Sequence, residues 1–262
     1  MKNVNLKLSV LMLSALTLGA VSCKKEGCTD STATNYDDKA KDDDGSCTYA
    51  AVEETTLNVT SNITANTTWE TGKVYVLKSR IAVVDGVTLT IEPGVVIKGD
   101  VGTGANATAL IIAQGGKIMA EGTAASPIIF TSTADNIMPG EITSPNLSAD
   151  LNGLWGGLIV LGKAPISADA ASVQIEGIPA SDANGLYGGS IADDNSGIIK
   201  YVSIRHGGAN IGEGNEINGL TLGGVGSGTT IEYVEIVSNQ DDGIEFFGGT
   251  VNVTNALVYN VG

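Results

Sequence analysis

The stretches TTIEYVEIVSN (residues 229–239) and VNVTNALVYNV (residues 251–261) carry the same alternation of apolar and polar residues, 22 positions apart. In this alignment Ile236 stands over Val258. Short apolar strands that recur at such a period, without helical heptads, are typical of a parallel β-helix, in which each coil stacks on the last about 4.8 Å away. This pair of segments therefore predicts two successive coils.

Further repeats extend the pattern. GLTLGG (219–224) matches GIEFFGG (243–249) at an offset of 24 to 25, and TLTIEPGVVIKG (88–99) matches ALIIAQGGKIMAEG (109–122) at an offset of 21. Alternation then predicts which side chains face the interior. The residues predicted to point inward are Val202, Ile204, Val234, Ile236 and Val258, and those predicted to point outward are Tyr201, Ser203, Tyr233 and Glu235.

Two other architectures share some of these sequence features. A leucine-rich repeat has a similar period but needs recurrent L-x-x-L-x-L-x-x-N units, which the sequence lacks. A β-sandwich remains an alternative, because short strands separated by turn residues also describe it.

Composition limits the class of partner. The formal net charge of −15 leaves no basic footprint for phosphates, so nucleic acid is excluded as a partner. An acidic surface suits an extracellular protein, including one that meets divalent cations such as calcium.

Residues 1–22 have the composition of a signal peptide, with Lys2 and Lys7 before a short apolar run. The run ends in AVSC, which resembles the lipobox of bacterial lipoproteins, although Ala20 stands where that motif prefers leucine. The resemblance implies that Cys23 is lipidated and anchors the chain to a membrane of the bacterial cell envelope, at the outer membrane or cell surface. An ordinary secretory signal is the alternative.

Residues 23–54 are polar and acidic, too poor in apolar residues for a core, and favour a tether. The segment GCTDSTATNYDDKAKDDDGSC resembles a cysteine-bounded repeat of secreted Bacteroidetes proteins, with its N-Y and D-D-G-S-C signatures. The resemblance implies a disulfide between Cys28 and Cys47, which leaves Cys23 as the odd cysteine.

The same segment offers a weak calcium motif. Asp42 and Asp44 fall at two ligand positions of a calcium loop, but Ala40 and Ala51 occupy its first and last positions. A solvated tether without metal is the alternative.

The phrases EPG, AEGT and PIIFTS within residues 70–262 resemble right-handed parallel β-helix proteins of the pectate-lyase-like superfamily. The resemblance implies an all-β fold, a right-handed single-stranded parallel β-helix over residues 55–262 behind the N-terminal tether. That fold hosts lyases, hydrolases, adhesins and stalks, so it leaves the function open. Because residues 251–262 stop in mid-coil, we expect the chain to continue or to be capped by a partner.

Three polar insertions interrupt the coils, at residues 133–152, 167–196 and 209–217. Loops on a rigid scaffold are frequent binding sites. The residues predicted to bind a glycan or calcium are Trp155, Tyr187, Asp193, Asp194, Glu213 and Glu216, with Asp241 and Asp242 nearby. The alternative is that Trp155 packs beneath a loop and the acids are solvated.

A catalytic interpretation needs an acid and a base. Polygalacturonases, which share the fold, carry a D-D pair before G-H-G and R-I-K motifs, whereas here R-H-G-G precedes D-D-G and no R-I-K follows. If the chain is a polysaccharide lyase or glycoside hydrolase on acidic glycans, its candidates are Asp241, Asp242, Glu245 and Arg205, with Lys200 as a second possible base. Asp-Asp and Asp-Gly pairs are also common turn formers.

The leading hypothesis is a lipid-anchored β-helix that binds a glycan or a cell-surface protein, or that displays a further domain. In this hypothesis the single histidine is structural. Alignment of GIIKYVSIRHGG (197–208) with residues 229–240 at an offset of 32 places His206 over Ser238, and the next coil places Asn260 there. A stack of polar side chains at a corner can hydrogen-bond the turning backbone.

Overall fold

The computed structural model describes residues 25–31, 33–48, 55–212 and 215–262. They fall into two compact units, the first within residues 1–53 and the second within residues 54–262. In chain order the elements are β1 (Glu26–Gly27), β2 (Asp42–Asp43), β3 (Thr56–Val59), β4 (Thr67–Trp69), β5 (Val74–Leu77), β6 (Arg80–Val83), β7 (Thr88–Ile91), β8 (Val96–Gly99), η1 (3-10 helix, Gly104–Asn106), β9 (Ala109–Ile112), β10 (Lys117–Glu121), β11 (Ile128–Ser132), β12 (Leu158–Leu161), β13 (Val173–Gln174), η2 (3-10 helix, Ala183–Gly185), β14 (Leu186–Tyr187), β15 (Gly197–Arg205), β16 (Asn210–Gly212), β17 (Asn215–Glu216), β18 (Leu220–Gly223), β19 (Thr230–Val237), β20 (Ile244–Phe247), β21 (Val253–Thr254) and β22 (Leu257–Tyr259).

The second unit is a parallel β-helix, as predicted, and its strands form three faces. Face A contains β4, β7, β10, the first part of β15, the first part of β19, and β21. Face B contains β3, β5, β8, β11, the second parts of β15 and β19, and β22. Face C contains β6, β9, β12, β18 and β20. The chain visits faces A, B and C in that order, so each corner can be named by the two faces that it joins.

The interior of the coils is one continuous apolar core. Alternate residues of each strand point inward, so leucine, isoleucine and phenylalanine from all three faces meet along the axis. Leu110, Phe130 and Ile204 are examples with no exposed surface. Each such side chain contributes about 1.5–3 kcal/mol through burial. Val258 also continues the inward row below Ile236, but it is 43% exposed because no further coil among the described residues covers it.

Most predicted registers are confirmed, and one is wrong. Ile236 pairs with Val258 and Leu220 pairs with Ile244, at the predicted offsets. The offset of 21 between residues 88–99 and 109–122 is wrong, because Leu89 pairs with Ile118 instead of Leu110. Leu110 belongs to face C, where the strands show the same alternation as those of face A. The pattern matched two different faces.

Two of the insertions lie against the outside of the coils. Residues 162–196 pack on face C, where Ile175, Ile178 and Tyr187 join outward-facing aliphatic residues in a second apolar cluster. Residues 133–152 lie on face B, where Ile137 covers a small apolar cluster and the Ile142 carbonyl accepts a hydrogen bond of 2.6 Å from Arg205 Nη1. These insertions form the walls of the sites described below.

Left-handed residues turn two corners of the last coils. At the A–B corner Tyr201, Tyr233 and Asn255 occupy equivalent positions with φ of 49°, 54° and 55°. At the B–C corner His206, Ser238 and Asn260 have φ of 59°, 58° and 56°.

The side chains at the B–C corner hold residues 149–151. His206 Nδ1 lies 2.5 Å from the Leu151 carbonyl, and Ser238 and Asn260 both donate to the Ala149 carbonyl. His206 is 3% exposed. The residue therefore serves the corner rather than an open site.

The first unit is organised by a disulfide between Cys28 and Cys47, as the sequence predicted. β1 and β2 pair in parallel beside it. Hydrogen bonding from the Ser46 side chain, and then from the Ser46 amide at 2.9 Å, lowers the pKa of the Asp44 carboxyl group. This carboxylate therefore stabilises a turn. Among the described residues no helix is long and apolar enough to span a membrane, and Cys23 lies outside those residues.

Reduction of this disulfide is expected to unfold residues 25–48 and to leave the β-helix intact. The disulfide joins residues 19 positions apart, and in the loop-entropy account closing such a loop stabilises the fold by about 3 kcal/mol. The described apolar clusters contain only residues of the second unit, so the β-helix does not depend on this bond. Calorimetry of the wild type and of a Cys28→Ser, Cys47→Ser variant should show the same main transition. A lower main melting temperature in the variant would contradict this expectation.

Candidate functional site

Five carboxyl groups from three parts of the chain converge beside face C. Glu176 lies on the insertion that covers this face, Glu216 is in β17, and Asp241, Asp242 and Glu245 belong to the B–C corner and β20. We call these five residues the acidic cleft.

Local structure explains how these groups are positioned. Ile175 is 1% exposed and fastens the insertion to face C, so the next residue, Glu176, is directed to the edge of the cluster. Glu245 alternates with the inward-facing Ile244 and therefore points outward. Asn218 Nδ2 donates a hydrogen bond of 2.5 Å to Glu245 Oε2.

The acids influence one another. Partial burial of the carboxyl groups raises the pKa of Glu176, Asp241 and Glu245, and neighbouring acids raise each of these pKa values further. For Glu176 the neighbours are Glu245, Asp241 and Glu216, although the Glu176 residue as a whole is exposed. Hydrogen bonding from Asn218 opposes the rise at Glu245. The cleft thus gathers several acidic groups that are only partly shielded from water.

Two aromatic side chains, Tyr187 and Phe247, lie beside these acids. Tyr187 packs edge-on against Phe247 with ring centroids 6.0 Å apart. Burial raises the pKa of the Tyr187 hydroxyl, and Glu176 and Glu245 raise it further. The cleft therefore offers a ring, a hydroxyl, an amide and several carboxyl groups within one area.

Among the described residues, none of the ion pairs joins a base to these five acids, although Arg80 Nη1 donates a 3.0 Å hydrogen bond to the carbonyl of Gly177, the residue after Glu176. The lysines and arginines whose ion pairs are described bind other acids, such as Lys163 with Asp85 and Arg205 with Glu235. In the described parts of the chain no three His, Cys, Asp or Glu side chains are arranged to hold a metal ion.

The structure separates several residues that the sequence grouped together. Arg205 lies on face B, where it pairs with Glu235 at 3.4 Å, so it does not act with Asp241 and Asp242. Lys200 pairs with Glu232 at 3.4 Å and likewise does not act as a base with Asp241 and Asp242. The sequence prediction grouped Arg205 with the acids. This grouping is wrong, because β15, which carries Arg205, ends in face B whereas β20 lies in face C.

The prediction that Trp155 binds a ligand is also wrong. It is fully buried, its ring lies parallel to that of Phe130 with centroids 6.5 Å apart, and its Nε1 donates to the Arg205 carbonyl at 2.8 Å. A side chain without exposed surface cannot contact a glycan, so the alternative that Trp155 packs beneath a loop is the one that the structure shows.

The remaining predicted residues are dispersed. Asp194 Oδ2 accepts a 2.9 Å hydrogen bond from the Lys163 amide and supports the C–A corner, while its neighbour Asp193 is exposed. Glu213 lies outside the described residues. Glu176 was missed by sequence reasoning, because nothing in its immediate surroundings distinguishes it from other acids of the insertion.

Comparison with known families agrees with the β-helix fold. A family model described as a pectate-lyase-like β-helix domain matches residues 61–262. The chain belongs to this family. No curated protein and no solved structure matches this chain.

Replacing Glu176 with glutamine should stabilise this pectate-lyase-like β-helix at neutral pH. A raised pKa means that the folded protein binds a proton more readily than the unfolded chain, so stability falls as pH rises from the unfolded pKa through the folded one. We expect a melting temperature about 1–2 °C above wild type at pH 7, since a screened repulsion of this kind is worth less than about 1 kcal/mol.

The gain should vanish below about pH 3.5, where the carboxyl group is protonated in both the folded and the unfolded state. Asp193→Asn, which removes an exposed acid outside the cleft, is the matched control. A Glu176→Gln variant that is less stable than wild type at pH 7 would contradict the repulsion.

Proposed function

We propose that this pectate-lyase-like β-helix is a lipid-anchored protein of the bacterial cell envelope that binds a neutral glycan in the acidic cleft. The observation that carries the proposal is the convergence of Glu176, Glu216, Asp241, Asp242 and Glu245 without a described ion-pair partner. Carboxylates accept hydrogen bonds from sugar hydroxyls, and such charge-assisted bonds are stronger than neutral ones.

The charge of the cleft selects among glycans. An acidic polysaccharide would be repelled by these carboxylates unless a cation such as calcium lay between them. A neutral chain meets no such barrier, and the half-buried Phe247 ring, packed against the buried Tyr187, supplies apolar surface beside the acceptors. The proposal therefore differs from the expectation of an acidic substrate.

Anchoring rests on the N-terminal sequence. The AVSC motif and the apolar run before it support lipidation of Cys23, and the acidic, disulfide-closed segment that resembles a Bacteroidetes cysteine repeat supports an exported protein. Labelled fatty acid should enter the wild type and should not enter a Cys23→Ser variant. Equal labelling of both would refute lipidation at Cys23.

Titration calorimetry with neutral and acidic polysaccharides, with and without calcium, tests the binding proposal. Glu245→Gln should weaken binding of a neutral glycan about tenfold, because a hydrogen bond to a charged group contributes about 1.5–3 kcal/mol. Asp193→Asn should bind as wild type does. Unchanged affinity in Glu245→Gln, or binding of acidic glycans alone, would refute a neutral ligand in this cleft.

Glycoside hydrolysis is a second candidate function. A hydrolase needs one carboxyl group that stays protonated beside another that is ionised, and the raised pKa of Glu245 favours the protonated role. A reducing-sugar assay on each polysaccharide that binds decides between binding alone and hydrolysis. Release of reducing ends by the wild type and not by Glu245→Gln would show an enzyme.

A further inference from the structure

A second groove lies on face B, away from the acidic cleft. Two adjoining cavities of about 210 and 420 Å³ share the side chains of Ile142, Arg205 and Glu235. Ligand sites of proteins have volumes of about 300–1,000 Å³. We call this feature the aromatic groove and define it by the residues Ile142, Tyr201, Ser203, Arg205, Tyr233 and Glu235.

Two stacked tyrosines form one wall of the aromatic groove. The rings of Tyr201 and Tyr233 are 4.6 Å apart and 7° from parallel, and Tyr233 is 43% exposed. Both residues have left-handed backbones at the A–B corner, so the pair is held by the coil itself. A rigid, exposed aromatic surface is suited to contact with the apolar C–H face of a sugar ring.

Fixed polar groups form the floor. Arg205 Nε donates to Ser203 Oγ at 2.7 Å, and Ser203 in turn donates to Glu235. Arg205 Nη1 also holds the Ile142 carbonyl at 2.6 Å, which ties the opposite wall to the floor. Because these groups are held before any ligand arrives, little ordering is needed on binding.

Charges in the aromatic groove are balanced. Arg205 lies 3.4 Å from Glu235, and Lys200 lies 3.4 Å from Glu232 and 5.9 Å from the Tyr233 ring centroid. An anionic or cationic ligand would have to displace one of these pairs. A neutral, hydroxyl-rich ligand can use them as they stand.

From Tyr233 to Val237 the floor follows β19 for about 13 Å, at about 3.3 Å per residue. This length admits a short chain of sugar rings rather than a single small molecule. We propose that the aromatic groove binds a neutral oligosaccharide, as a second site that functions independently of the acidic cleft.

Titration calorimetry with cellohexaose, mannohexaose, xylohexaose and laminarihexaose tests the proposal. The protein is the full chain that carries Glu176→Gln and Glu245→Gln, so the acidic cleft is altered in every arm. Tyr233→Asn is added, because Asn255 occupies the equivalent position in the next coil with the same left-handed backbone, and the variant should therefore fold.

We expect at least one hexasaccharide to bind the altered-cleft protein, and Tyr233→Asn to weaken that binding about fivefold. Tyr233→Phe keeps the ring and should bind normally, as should Tyr36→Ala, which removes an exposed tyrosine of the first unit. Equal affinity in Tyr233→Asn, or no saturable binding of any of the four sugars up to millimolar concentration, would overturn the proposal. Neither result bears on the cleft, which is tested with its own variants.

Discussion

Trp155→Ala is expected to lower the free energy of unfolding by about 3–5 kcal/mol, the range for removing a large aromatic side chain from a core. The indole is fully buried, and its ring faces Phe130. The substitution also leaves the Arg205 carbonyl without the Nε1 donor at 2.8 Å, and a buried unpaired group adds to the loss.

Chemical denaturation of the wild type, Trp155→Ala and Trp155→Phe measures this effect. Phenylalanine keeps part of the volume and loses the hydrogen bond, so its loss should be smaller, about 1–3 kcal/mol. If the alanine variant were within about 1 kcal/mol of wild type, Trp155 would not be the core residue that its burial indicates.

Gly197→Ala should cost about 2–5 kcal/mol, from overpacking of about 1–3 and a left-handed backbone of about 1–2. Gly197 has φ of 113°, and a Cβ atom there would lie 1.9 Å from the carbonyl oxygen of Ile118. That carbonyl belongs to the neighbouring strand β10, so relief of the clash must move backbone on which the next coil stacks.

Gly86→Ala is the matched control for this change. Gly86 has φ of 76°, but a Cβ atom there would meet nothing within 4 Å. It should lose only about 1–2 kcal/mol, the cost of the left-handed backbone. Equal losses in the two variants by chemical denaturation would show that contact with Ile118 is unimportant.

Much of the coil pattern was predictable, and the reason is visible at particular residues. Ile236 and Val258 lie on the same face in successive coils, and a single left-handed residue turns each A–B and B–C corner there, so the repeat in sequence equals the repeat in space. Leu89 and Leu110 share the same alternation on different faces, and alternation alone carries no information about which face a strand joins. Hydrogen-bond pairing decides that question.

The candidate site was predicted only in part. Asp241, Asp242 and Glu245 stand close together in sequence, so their proximity was readable. Glu176 reaches them because an insertion packs against face C through Ile175, and that contact depends on the path of the whole loop. Arg205 was grouped with the acids because polysaccharide-lyase chemistry needs a base beside them, yet the direction of its strand places it on another face.

The three corners differ in how readily they can accept new sequence. At the A–B corner the connections run from residues 122–127 down to the single residues Tyr201 and Tyr233, whereas the B–C and C–A corners carry longer connections such as 133–157 and 162–196. A residue added at Tyr201 would shift every following side chain of β15 from the interior to the surface. We therefore expect inserted residues to be tolerated at the B–C and C–A corners and to be rare at the A–B corner. Relatives of this protein should then differ mainly in the loops beside faces B and C, and so in what those loops bind.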